Sequence, residues 1–238
     1  MLLEGRRLID LALPAGELIV LFYRDDEQGQ RCYESLSATH KLEDRDGRRL
    51  SLSLFSELAQ TEHSQGVIGL FRTLPVPDLT DAYPERARVL ILENIRDPGN
   101  LGNLTRTAEA LGFGDILFLG DAVSPWNAKS LRASMGTALY ISYRRARGLS
   151  EILPQLRALD LITADMQGER LSKFQPENAA RGFALLLGNE AHGVSTEARE
   201  LCRYLISVDM QGKAESLNVG NAASILAYEL SRIYGYFS

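Results

Sequence analysis

Asp97-Pro98-Gly99-Asn100-Leu101-Gly102-Asn103-Leu104-Thr105-Arg106 stands between a short apolar run and a stretch of helical periodicity. Pro98 and Gly99 read as stopping the extended run at residues 89–92 and turning the backbone. Asn100 reads as the cap of the helix that follows. Leu101, Leu104, Ala108 and Leu111 recur at helical spacing and define a predicted buried stripe. Asn103 and Arg106 fall on the other side. Amide and guanidinium groups presented from a backbone held by proline and glycine suit the grip of an oxyanion such as phosphate. A strand–turn–helix with a solvated polar face is the plainer reading, and the segment alone does not choose between them.

Outward from this segment, short apolar runs alternate with helical stretches: residues 89–92, 116–119, 161–164, 183–187 and 205–208. Continuous apolar strands separated by helices predict an α/β fold with a mainly parallel sheet covered on both faces. Upstream, residues 1–72 read as a small α/β unit, with helices at 5–13, 31–39 and 53–60 and strands at 17–23 and 66–71. Pro75, Pro77 and Pro84 with several acidic residues give residues 73–87 the composition of a linker. Residues 88–238 then form the larger domain. Its last helix, predicted over 217–236, carries Val219, Ala223, Leu226, Leu230 and Ile233 on one stripe. Asn218, Asn221, Ile225 and Tyr228 form a mixed second face, which suits a subunit interface as well as solvent.

The chain has 238 residues and 45% hydrophobic content, enough for one large domain or two unequal ones. A formal charge of −5 argues against a nonspecific nucleic-acid coat. Yet 22 of the 26 basic residues are arginine, the side chain suited to bidentate phosphate contact. Two clusters, Arg45, Arg48 and Arg49, then Arg144, Arg145 and Arg147, read most simply as loop charge. Cys32 and Cys202 offer neither a disulfide framework nor metal spacing, and three scattered histidines suggest no zinc site. No apolar stretch approaches transmembrane length and no secretory pattern opens the chain, so a soluble cytoplasmic protein without bound metal is expected.

Two further junctions resemble the first. Gly188-Asn189-Glu190-Ala191-His192-Gly193 directly follows the run at 183–187, where open α/β sheets bind ligands. It has neither the Lys-Ser/Thr ending of a P-loop nor the dinucleotide glycine fingerprint, which disfavours a nucleotide-dependent oxidoreductase. Met210-Gln211-Gly212-Lys213-Ala214-Glu215-Ser216-Leu217-Asn218 joins the last strand to the last helix, with Ser216 as the simplest cap. Three polar, glycine-containing strand–helix junctions in one sheet converge on a site.

Taken together, Asn100 to Arg106, Gly188-Asn189-Glu190 with Gly193, and Ser216-Leu217-Asn218 resemble the three signature motifs of the SpoU (TrmH-like) RNA 2′-O-ribose methyltransferases of the SPOUT superfamily. Arg132-Ala133-Ser134-Met135-Gly136 is similar to a further segment of that family. Glu4-Gly5-Arg6-Arg7 and Gln65-Gly66-Val67 resemble its ribosomal-protein-like substrate-binding domain. Two-domain relatives carry another helix ahead of the Glu-Gly segment, a departure from the pattern here.

The resemblance implies a C-terminal trefoil knot, which periodicity could not have indicated. It also implies S-adenosylmethionine as methyl donor, a homodimer, and RNA as substrate, ribosomal RNA above transfer RNA. By the same resemblance the cofactor loops map to Thr163, Ala164 and Asp165; Leu187, Gly188, Asn189 and Glu190; Ile206, Val208 and Met210; and Ser216 and Leu217. The catalytic centre is assigned to Arg106, with Asn100, Glu190, Ser216 and Asn218 as positioning groups. A guanidinium is a poor base, so a positional and electrostatic role is expected for Arg106. A noncatalytic RNA-binding protein on the same fold is the alternative.

Overall fold

The computed structural model describes residues 1–61, 63–189, 192–214 and 216–237. Two sheets organise them. The first has the order β1-β4-β2-β3 and is built from β1 (Leu2–Glu4), α1 (Arg6–Ala12), β2 (Leu18–Arg24), α2 (Glu27–His40), β3 (Gly47–Leu50), α3 (Leu52–Leu58) and β4 (Val67–Phe71). β4 runs antiparallel to both β1 and β2, while β3 lies parallel to β2 at the edge. The cluster Arg45, Arg48 and Arg49 is therefore partly a strand: Arg48 and Arg49 pair with Phe22 and Tyr23 rather than lying in a loop. Charged side chains on an edge strand keep it from pairing with other chains.

The second sheet contains β5 (Arg88–Glu93), α4 (Pro98–Ala110), β6 (Asp115–Leu119), α5 (Ala128–Ala133), β7 (Ser142–Ala146), α6 (Leu153–Leu156), β8 (Leu159–Arg170), β9 (Gly182–Leu187), α7 (Thr196–Leu201), β10 (Tyr204–Ser207) and α8 (Val219–Ile233). Its order is β10-β8-β9-β5-β6-β7, and every pair is parallel. Alternating residues of each central strand serve two separate cores. Leu90, Leu92, Phe183, Leu185 and Leu187 pack with Leu101, Leu104, Leu226 and Leu230 of α4 and α8. Val89, Ile91, Ala184 and Leu186 pack on the opposite face with Leu156 and Ala198. Burial on both faces is why these strands read as unbroken apolar runs. Each fully buried aliphatic side chain stabilises the fold by about 1.5–3 kcal/mol.

β7 escaped the sequence reading because Arg144 and Arg145 make it look like a charged loop. As an edge strand it needs no second apolar face, and it is covered by the segment read as a linker. The Leu79 N–H donates to the Arg145 carbonyl, the Arg145 N–H to the Pro77 carbonyl, and Asp78 pairs with Arg145 at 2.8 Å. Residues 73–87 are thus strapped along the sheet.

β8 is longer than predicted and irregular. β10 pairs with it at Ile162 and Thr163, then at Glu169 and Arg170, so residues 164–168 loop out between the two contacts. The chain end is held below the sheet. Tyr236 lies between Arg86 and Arg88, with guanidinium-to-ring distances of 4.3 and 4.1 Å. The buried Asp160 carboxylate meets Arg181 at 2.9 Å and accepts the Tyr234 hydroxyl at 2.8 Å. No helix among the described residues is long and apolar enough to cross a membrane.

Candidate active site

The three polar junctions all leave carboxyl ends of parallel strands, so the fold gathers them on one edge of the sheet. At the first, the helix begins one turn earlier than expected. Asp97, not Asn100, is its cap, accepting the Asn100 N–H at 2.8 Å, and Pro98 and Gly99 are its first residues rather than a turn. Proline suits the first helical position because its missing N–H would have no intrahelical partner there. The Asn100 N–H, helped by Lys129 at 3.2 Å, holds the Asp97 carboxyl below the usual carboxylate range. With its backbone N–H engaged by the cap, Asn100 accepts from Asn218 through its side-chain Oδ1.

The third junction is corrected in the same way. Asn218, not Ser216, caps α8, its Oδ1 accepting the Gly220 N–H at 2.9 Å. That bond fixes which end of the amide faces outward, and the Asn218 Nδ2 donates to Asn100 Oδ1 at 3.1 Å. One residue thus starts α8 and ties it to the start of α4. Thr107 and Ser224, hydroxyl to hydroxyl at 3.0 Å, repeat the tie further along the helices. Ser216 is exposed and Leu217 half-buried beside this contact.

At the second junction the chain folds back on itself. Asn189 and Gly193 form a bridge, with the Gly193 N–H donating to the Asn189 carbonyl at 2.8 Å. A Cβ on Gly188 would run into the carbonyl group of Gly193 and the Val194 nitrogen, so only glycine admits this approach. Asn189 Nδ2 donates to the Asn94 carbonyl at 3.1 Å, joining this loop to the end of β5. Glu93, the last residue of β5, accepts both the N–H and the hydroxyl of Ser195 at 2.7 Å. Glu190 lies outside the described residues.

Arg106 sits on the exposed side of α4, and among the described residues it has no ion-pair partner. Its guanidinium is permanently charged and carries five donors in a planar fork. Leu101, Leu104 and Ala108 are buried on the far side of the same helix, as the spacing predicted.

The remaining assigned residues line the edge where β8, β9 and β10 end. Thr163 is buried, its hydroxyl donating to the Leu186 carbonyl at 3.0 Å. Ala164 and Asp165 open the looped-out segment of β8. Asp165 is engaged by Arg199 of α7 at 2.6 Å and accepts the Gln167 N–H at 2.7 Å. Leu187 and Ile206 are buried, Val208 half-buried and Met210 exposed. The site is therefore walled by aliphatic side chains and loop backbone, and its one carboxylate at the β8 loop is already neutralised. Such a donor set fits a neutral, flat group recognised by main-chain atoms, as an adenosyl group requires. Among the described residues no cluster of three or more His, Cys, Asp or Glu side chains could hold a metal.

Asp97, Asn94, Glu93, Lys129 and Arg199 went unrecognised in the sequence. Asn94 alone left a signal: it holds a left-handed backbone (φ 56°), a conformation asparagine tolerates, immediately after an apolar strand.

A parallel α/β sheet with polar, glycine-containing loops beyond the carboxyl ends of its strands is the ligand-binding architecture of open α/β enzymes. The chain belongs to the SpoU rRNA Methylase family, whose model matches residues 87–228. It is 31% identical to the 23S rRNA (guanosine(2553)-2'-O)-methyltransferase RlmP of Bacillus subtilis, over 96% of this chain and 87% of that protein. It is 28% identical to the 23S rRNA (uridine(2479)-2'-O)-methyltransferase of Streptomyces viridochromogenes, over 97% and 82%. Among solved structures, the SpoU methyltransferase AviRb of that organism in complex with AdoMet superposes with a TM-score of 0.81 at 26% identity. That match covers 98% of this chain and 89% of that one. The AdoMet-bound rRNA methyltransferase of Sinorhizobium meliloti gives 0.79 at 26% identity, over 97% and 86%.

Proposed function

We propose that this protein transfers a methyl group from S-adenosylmethionine to a ribose 2′-hydroxyl of RNA, with 23S ribosomal RNA as substrate. The observation that carries this reading is the pair of hydrogen bonds, Asn218 to Asn100 and Asn189 to the Asn94 carbonyl, that ties the second and third motifs to the strand end and helix start that lead to Arg106. Two relatives named as 23S rRNA 2′-O-methyltransferases, matched over 96% and 97% of this chain, point to the substrate.

When bound, S-adenosylmethionine supplies the electrophilic methyl group. Thr163, Ala164, Asp165, Leu187, Gly188, Asn189, Ile206, Val208, Met210, Ser216 and Leu217 would hold it, through backbone groups and apolar walls. Arg106 clamps a phosphate next to the target ribose and brings the 2′-oxygen into line, since alignment accounts for much of such a rate enhancement. Asn100 and Asn218 position the nucleotide as one hydrogen-bonded unit, and Glu190 and Ser216 complete the set.

The pairing of β10 with β8 on both sides of residues 164–168 supports a trefoil knot at the C-terminal end. Residues 1–72 are read as an RNA-binding domain, joined by 73–87 to a catalytic domain at 88–238. The exposed Ile225 and Tyr228 line a groove of ≈ 520 Å³ between α4 and α8, which supports burial of this face in a homodimer.

The test is methyl incorporation from labelled S-adenosylmethionine into ribosomal RNA, with a 2′-O-methylnucleoside in the digest. Arg106→Ala is expected to remove nearly all transfer while calorimetry finds cofactor affinity unchanged. Loss of cofactor binding in that variant contradicts the phosphate-clamp role.

A further inference from the structure

α5 lies between α4 of the larger domain and β1 of the N-terminal sheet. Toward the site, it packs on α4 so closely that a Cβ on Gly102 would lie 2.6 Å from the Ser130 carbonyl oxygen and 2.9 Å from the Ser134 nitrogen. Lys129, in its first turn, donates to Asp97, the cap of α4, at 3.2 Å. Toward the N-terminal sheet, the turn that ends α5 presses Gly136 against Leu8 and Leu11 of α1. Arg132 Nη1 donates to Gln60 Oε1 at 2.7 Å.

Gln60 is itself fixed. The buried carboxylate of Glu4, at the end of β1, accepts the Gln60 N–H and the Thr61 hydroxyl, each at 2.6 Å. A continuous chain of contacts therefore runs from β1 through Glu4, Gln60 and Arg132 to α5, and through Lys129 and Gly102 to the helix bearing Asn100 and Arg106. The turn after α5 is also strained: Met135 is a bulky residue at φ 55°. Such conformations persist where surrounding structure over-determines them.

We propose that α5 is a strut between the N-terminal sheet and α4, and that Arg132 is a positioning residue latched through Gln60. RNA held on that sheet then reaches Asn100 and Arg106 in register. The proposal rests on the RNA methyltransferase reading for its consequence, but its geometry can be measured without RNA.

The first arm uses spin labels on Glu57→Cys in α3 and Glu109→Cys in α4. The native Cys32 and Cys202 are buried and do not compete for the label. The distance distribution is expected to be narrow in the parent and broadened alike by Gln60→Ala and Arg132→Ala. Unchanged distributions overturn the latch whatever the enzyme's substrate.

The second arm is steady-state methylation of ribosomal RNA. Each variant is expected to raise the KM for RNA by roughly 2- to 13-fold, the range of one hydrogen bond, with kcat and cofactor affinity retained. The double variant should be no worse than the worse single one. The salt dependence of RNA binding should not change. If only Arg132→Ala raises KM, and its log–log salt slope falls by about one, Arg132 grips a phosphate directly and the latch is wrong. If the parent methylates no RNA, the functional reading fails while the first arm still decides the strut. Melting curves of both variants identify any loss of folding, and Arg132→Lys, which keeps the charge and one donor, should restore part of the KM.

Discussion

Asn218 performs two tasks that different substitutions can separate. Its Oδ1 caps α8 and its Nδ2 holds Asn100. Serine is as good a helix cap as asparagine, but its side chain is too short to reach Asn100. Asn218→Ser should therefore keep the cap and lower the melting temperature only by the worth of the lost Asn100 bond, less than Asn218→Ala does. Asn218→Ala loses the cap as well, at a cost of about 1 kcal/mol. For a chain of this size that corresponds to a fall of roughly 2–4 °C. Methyl transfer should respond differently, because both variants cut the tie between α4 and α8. An intramolecular hydrogen bond has a net worth of about 0.5–1.5 kcal/mol, so kcat/KM should fall roughly 2- to 13-fold, toward the lower end because the bond is open to solvent. The falls should be similar in the two variants despite their different stabilities. Adding Asn100→Ala to either should cost less than it does alone, since the partner is already missing. The assay pairs a thermal melt with initial rates on ribosomal RNA. Parental kcat/KM for Asn218→Ser, or full additivity with Asn100→Ala, would refute the claim that this bond organises the site.

Gly188→Ala forces a methyl group into the Gly193 backbone, and because neither side can yield, it should destabilise by at least about 1–3 kcal/mol and weaken cofactor binding, read by melt and calorimetry. Replacing Tyr228 by Glu should convert a dimer into a species near 26.4 kDa in light scattering; a parent already monomeric at assay concentrations would refute the interface. The depressed Asp97 carboxyl gives stability that is fully present above the unfolded value of about 3.9 and is lost as pH falls through its lower folded value. Asp97→Asn, which still caps, should accordingly lose less stability than the parent between about pH 5 and pH 2 in acid-unfolding titrations. Burial pushes the Cys202 thiol up to about 12, so native protein should resist alkylation there near neutral pH, whereas denatured protein should not.

The apolar strands and the amphipathic helices were legible because each core face leaves a periodic trace in one continuous stretch. α4 shows the limit of that signal: Leu101, Leu104 and Ala108 announced the buried stripe, but Pro98 looked like a breaker. Its place as first helical residue depends on Asp97 supplying the cap. β7 and β3 were missed because edge strands carry arginines where central strands carry Val, Leu or Ile. Local order thus determined which elements exist, and three motif-bearing junctions determined the family the chain resembles.

What no stretch of sequence contains is the contact between stretches. Asn100 meets Asn218 across 118 residues, Asn189 meets the Asn94 carbonyl across 95, and Arg132 meets Gln60 across 72. The first two exist only after the parallel strand order has brought remote loops to one edge, and the third only after α5 has packed against the N-terminal sheet. Arg106, Asn100 and Asn218 were therefore legible in the sequence only as polar residue types beside strand ends. The meeting of Asn100 with Asn218, and the tie of α5 to the N-terminal sheet, were decided by tertiary packing, because hydrogen-bond partners are selected by distance in space rather than distance along the chain.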